Sequence, residues 1–122
     1  MRKITEQAGK ALLNHEHYSL ANTRTQQFKA NTSLYLHDNL IAVKFIDGDL
    51  RLSLAGYNTT TTKERLNGIL ELACVNWRYR TIKGKAYLVH LETGTKLRID
   101  DDRFYSIAEM AMAFFKKQKE LN

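Results

Sequence analysis

Apolar residues at the start of the chain recur every three or four positions. Ile4, Ala8, Ala11 and Leu12 fall on one side of an amphipathic helix over residues 4–14. The stretch "SLANTRTQQFKANTS" is polar and has no period, which predicts a loop with one edge strand around Arg24–Lys29. The period then changes to two. In "LYLHDNLIAVKFIDGDLRLSL", Leu34 and Leu36 alternate with their neighbours, Ile41, Val43 and Phe45 share a face, and Leu50, Leu52 and Leu54 share another. Asp47-Gly48 between two such runs is a hairpin signal, because both residues tolerate positive φ, and "HDN" is a second turn. From Trp77 the period is two again. Lys83-Gly84-Lys85 and "ETG" divide that region into a three-stranded meander ending at Lys96-Leu97-Arg98-Ile99. Ser106-x-x-Glu109 is a capping box opening a last helix, with Ile107, Met110, Ala111 and Phe114 at helical spacing. Lys116, Lys117 and Lys119 stand at its C-terminal end, where cations complement the helix dipole.

Between the two β regions lies "GYNTTTTKERLNG", residues 56–68. Threonine hydroxyls, free amides and two cations suit a phosphate, and the same residues suit the start of a helix. Thr61-x-x-Glu64 fits a capping box, and Leu66, Ile69, Leu70 and Ala73 follow at i, i+3, i+4 and i+7. Gly68 weakens the middle of that helix by about 1 kcal/mol relative to Ala. The helix start is the economical explanation. Thr62, Lys63 and Arg65 remain secondary anion-site candidates, since helix N-termini attract anions, although Glu64 in the first turn opposes that use. The order of elements indicates a small single α+β domain, an antiparallel sheet with a central helix and terminal helices.

The stretch "LAGYNTTTTKERLN", with "NT" and "LYLHDNLIAV" before it, resembles a recurrent pattern in a family of small tailed-bacteriophage proteins: Gly-aromatic-x-Thr-x-Thr-Thr-x-x-Arg-Leu/Ile-Asn. The likeness covers about Asn31 to Asn67, with Tyr57 where the pattern has Trp. It implies a viral origin and a β-turn-helix unit, and it implies no activity.

Composition narrows the function. At 122 residues the chain suits one core, and it has no Pro where average usage would give about six, so no Pro-rich linker divides it. The single cysteine, Cys74, excludes an internal disulfide and reads as a small buried apolar group on the central helix. No apolar run approaches the length of a membrane span and the N-terminus lacks a secretory core. The expected place of action is therefore the host cytoplasm. The formal charge is +6, from 19 Lys and Arg against 13 Asp and Glu. Residues 56–98 alone carry eight cations against three Glu, so nearly all the excess lies in mid-chain. Such a field favours anionic partners, and it also keeps a protein soluble.

Candidate catalytic groups are sparse. His15 and His17 diverge at a spacing of two on a helix end, with no carboxylate or Cys to complete a metal set. Asp100, Asp101 and Asp102 suit a solvated turn ahead of a helix, and Asp47 and Asp49 flank a turn glycine. No nucleophile–base arrangement or Gly-rich phosphate loop has its required context, so a non-enzyme without cofactor or metal is expected. The meander is more informative. Alternation puts Arg78, Arg80, Lys96 and Arg98 on one sheet face, with Lys83 and Lys85 at the turn and Tyr79, Val89, Leu97 and Ile99 in the core. Tyr87 is expected to face inward with Tyr79. Six cations over this region suit a nucleic-acid phosphate backbone. They equally suit an acidic host protein, or a solvated face whose Lys and Arg stems cover Leu88.

Overall fold

The computed structural model describes residues 1–121, and all their side chains except those at 117, 118, 120 and 121. Helix α1 (Lys3–Leu13) leads into strands β1 (Ser19–Leu20), β2 (Thr23–Phe28), β3 (Asn31–Leu36), β4 (Asn39–Lys44) and β5 (Leu50–Leu52). Helix α2 (Thr60–Leu72) follows, then β6 (Trp77–Ile82), β7 (Lys85–His90), β8 (Lys96–Arg98), β9 (Tyr105–Ser106) and α3 (Ile107–Leu121). This is an α+β fold, with two antiparallel sheets where one was expected. The larger has the order β1-β2-β3-β4-β5-β9, and β6-β7-β8 form the smaller. The chain thus returns to the first sheet through β9 before its last helix.

Turn chemistry sets the hairpins. His37 and Asp38 join β3 to β4 with φ of 50° and 63°, and Lys83-Gly84 join β6 to β7 with φ of 51° and 78°. Positive φ at both central residues matches the right-handed twist of the flanking strands. At Asp47-Gly48 only the glycine is left-handed, with φ 100°. The turn is longer there: Phe45 O accepts from the Gly48 amide, and Phe45 N–H donates to Asp49 O.

One face of the large sheet is buried by α1 and α2. Thr32, Leu34 and Leu36 of β3 and Leu50 and Leu52 of β5 point inward as alternation requires. Strand β4 departs from it. Leu34 pairs with Ala42 but Tyr35 with Leu40, so Ile41 is an extra residue at a bulge. Ile41 and Ala42 are both buried, whereas Val43 and Phe45 are moved to the outer face. The expected face of Ile41, Val43 and Phe45 is corrected accordingly, and Arg51 lies over the Phe45 ring at 4.8 Å. Strand β1 pairs with β2 only at Thr23 and Arg24, so the rest of β2 lies at the edge of the sheet, as expected.

Helix α2 links the sheets through one core. Leu66, Ile69 and Leu70 are buried with Leu34 and Leu52 on one side and Trp77, Tyr79 and Leu88 on the other. Its close approach to α1 depends on glycine. A Cβ on Gly68 would meet Thr5 Cγ2 at 2.2 Å, and one on Gly9 would meet Leu72 Cδ1 at 2.6 Å. Cys74 lies beyond the helix, exposed and with φ 59°, so it is not the buried helical residue expected. Among the described residues, no helix is long and apolar enough to cross a membrane.

Candidate nucleic-acid interface

Pairing in the small sheet fixes which side chains share its outer face. Arg78 pairs with Val89 and Val89 with Lys96; Arg80 pairs with Tyr87 and Tyr87 with Arg98; Ile82 pairs with Lys85. Directly paired residues project to the same side. Arg78, Arg80, Lys85, Lys96 and Arg98 therefore stand together on one face, and Lys83 occupies the turn beside them. The other face carries Trp77, Tyr79, Leu88 and His90 into the interior. Leu88 is wholly buried there and is not covered by cationic stems. Tyr87 and Val89 depart from expectation: both are half-buried on the cationic side. Alternation through Ala86, Leu88 and His90, all buried, is the signal that places Tyr87 outside.

The arginines are held by the main chain. Arg78 Nη1 donates to Val75 O at 2.6 Å and Trp77 O at 2.7 Å. Arg80 Nη1 donates to Tyr79 O at 3.1 Å, and Arg98 Nη1 donates to Ala86 O at 3.0 Å and Ile99 O at 2.5 Å. Each guanidinium has five N–H donors, so this anchoring leaves others free for an anion. Burial lowers the Arg78 pKa and the neighbouring Glu71 opposes that shift. Glu64 and Glu71 share a surface hollow with Arg78 and Arg80. The β6 side of the face is thus partly neutralised, while Lys85, Lys96 and Arg98 are exposed. Along β6, the Asn67 side chain donates to Tyr79 O at 3.0 Å and accepts from Tyr79 N–H at 2.7 Å, replacing a neighbouring strand.

Thr62, Lys63 and Arg65 are not brought together. The N-cap of α2 is Thr59, whose hydroxyl accepts from the Thr62 amide at 3.2 Å, so the cap lies two residues before the expected one at Thr61. Thr62 is buried, and Lys63 Nζ donates to the Thr81 hydroxyl. Arg65 is 2% exposed and points into the interior. Glu64 accepts from Thr5 at 2.6 Å and from Arg65, instead of reaching back to the Thr61 amide. The second capping box is present: the Glu109 amide donates to Ser106 Oγ at 3.0 Å, and the Ser106 amide to Glu109 Oε1 at 3.3 Å. Lys116 and Lys119 are exposed near the end of α3, and the Lys117 side chain lies outside the described residues.

The remaining acidic and histidine candidates are dispersed. His15 Nδ1 bonds the Thr32 hydroxyl at 2.8 Å, while His17 is exposed. Asp101 O accepts from the Gly56 amide at 2.7 Å, and the Asp100 amide donates to the Tyr105 hydroxyl at 2.8 Å. Among the described residues no three His, Cys, Asp or Glu side chains converge as a metal site. A groove of about 770 Å³ lies on the other side of the small sheet, between Trp77, His90 and the α3 residues Ala108, Ala111 and Phe114.

The family model described as Kyanoviridae Gp96 protein matches residues 1–118. No curated protein and no solved structure matches the chain. The family match extends well beyond the Asn31–Asn67 window that resembles phage proteins and takes in both sheets and most of α3. The chain belongs to the Kyanoviridae Gp96 family, a family of phage proteins.

Proposed function

We propose that this protein is a phage accessory factor that binds nucleic acid without catalysis, in the host cytoplasm, through the outer face of β6-β7-β8. The observation that carries this reading is the register: Arg78, Arg80, Lys85, Lys96 and Arg98 share one face. A phosphate backbone is a regular array of negative charge, and such cations bind it independently of sequence. The Gly56–Asn67 pattern is read as the recurrent family signature, acting as a folding element at the start of α2 and not as a phosphate loop.

Lys85 and Lys96 provide the cleanest test, because they are exposed while the arginines also hold backbone carbonyls. Lys85→Glu with Lys96→Glu is expected to keep the fold and to weaken binding to all probes alike, read by anisotropy at low salt. No binding of wild type to duplex or single-stranded probes at micromolar protein would refute the proposal. A second reading is inhibition of an acidic host protein by the same face. It is supported by Ile82 and Val89, half-buried apolar residues among the cations, which suit a protein surface. Capture from host lysate separates the two, since one stoichiometric protein retained after nuclease treatment favours the inhibitor.

A further inference from the structure

We propose that Tyr87 makes this face a single-strand site, stacking one nucleobase on its ring while Lys85, Lys96 and Arg98 hold the flanking phosphates. This rests on the nucleic-acid reading and narrows it to one substrate class.

Tyr87 lies within β7, the central strand of the small sheet. Its paired neighbours are Arg80 on β6 and Arg98 on β8. The Arg98 guanidinium carbon is 5.8 Å from the Tyr87 ring centroid, within the range of a cation–π contact. That guanidinium is fixed through Nη1 to Ala86 O and Ile99 O, so the ring and its cation form a set position. Lys85 is two residues along the strand on the same face, about 7 Å away at the rise of an extended chain. An aromatic ring bordered by cations is the combination that single-strand binders use, because every base has a π-face and every nucleotide a phosphate. In a duplex the base faces are already stacked, so a tyrosine at the centre of a sheet face meets sugar and phosphate and contributes little.

The test compares a fluorescein-labelled oligothymidylate with a duplex of matched length, by anisotropy at low salt. Wild type is expected to prefer the single strand. Tyr87→Phe should bind nearly as wild type, since the ring and not the hydroxyl does the stacking. Tyr87→Leu keeps apolar bulk on the strand and should lose between about fivefold and about a hundredfold in single-strand affinity, with duplex affinity unchanged. Circular dichroism of Tyr87→Leu checks that the sheet persists. If Tyr87→Leu binds the single strand as wild type does, or the duplex is bound as well as the single strand, stacking is refuted. In that case loss of binding in the Lys85→Glu, Lys96→Glu variant leaves the phosphate reading standing. If wild type binds neither probe, both proposals fall together.

Discussion

Arg65 places a guanidinium where almost no water reaches. Its Nε donates to Thr23 Oγ1 at 3.2 Å, and its Nη1 donates to Thr5 Oγ1 at 2.9 Å and to Glu64 Oε1. One side chain of α2 thus ties α1 and β2 together. Removing one partner of a buried ion pair costs about 3–5 kcal/mol. Glu64 keeps a quarter of its side chain in solvent, so Arg65→Ala should fall at the low end, about 3 kcal/mol by denaturant midpoint. Arg65→Lys should recover only part of this, because a point ammonium cannot replace the guanidinium fork. Nucleic-acid affinity of the folded Lys variant should be unchanged. Unaltered stability with lost binding would return Arg65 to an anion site. This burial was readable in part: Thr62, Arg65, Leu66 and Ile69 follow i, i+3, i+4 and i+7, which continues the apolar arc to the arginine. Charge type concealed it. Nothing local indicates that Thr5 and Thr23, far away in the chain, would supply its acceptors.

Helix ends and strand faces differed in how well local pattern revealed them. Ser106-x-x-Glu109 was legible because a single register fits, and both reciprocal bonds form. Four consecutive threonines offer several registers, and choice among them rests on tertiary contact, since Glu64 is drawn to Thr5 and Arg65. Thr59→Ala should therefore cost about 1 kcal/mol and Thr61→Ala less than about 0.5 kcal/mol, measured by urea unfolding. The Ile41 bulge was illegible for a similar reason: alternation cannot report an inserted residue, and both Ile41 and Ala42 are apolar enough to be buried. Gly68 shows packing overriding propensity. In an exposed helix Gly→Ala gains about 1 kcal/mol, but here Thr5 blocks the new methyl and its hydroxyl is held by Glu64 and Arg65. Gly68→Ala should destabilise by about 1–3 kcal/mol, and a raised melting temperature would contradict that geometry. Glu109 gives α3 a pH dependence. Burial pushes its carboxyl up, but the Ser106 amide and Arg103 outweigh this and hold it below the ordinary value of 4.5. A depressed folded pKa means the stabilisation is present above that value and is lost as pH falls through the folded pKa. Glu109→Gln should remove this acid-sensitive component from the unfolding curve.

The two faces of the small sheet divide its chemistry, with Trp77, Tyr79, Leu88 and His90 on the side of α3 and the cations, with Ile82, Tyr87 and Val89 among them, on the other. Alternation disclosed the cationic face but not its electrostatic asymmetry, because Glu64 and Glu71 reach Arg78 and Arg80 only once α2 is laid along β6. That asymmetry sets a number. Glu109 lines a hollow with Arg98 but is already bonded to Arg103 and the Ser106 amide, so Lys83, Lys85, Lys96 and Arg98 remain to neutralise about four phosphates. For a single strand the slope of log K against log[salt] is then about −3, and for a duplex about −3.6. If Glu71 holds back Arg78, Glu71→Gln should tighten binding and steepen the single-strand slope by up to about 0.7, one further phosphate. Glu71 is exposed, so the substitution should leave stability within about 0.5 kcal/mol. A slope near zero in wild type would mean that phosphate contacts do not drive association. A slope unmoved by Glu71→Gln would mean that Arg78, tied to Val75 and Trp77, serves the fold and takes no part in the interface.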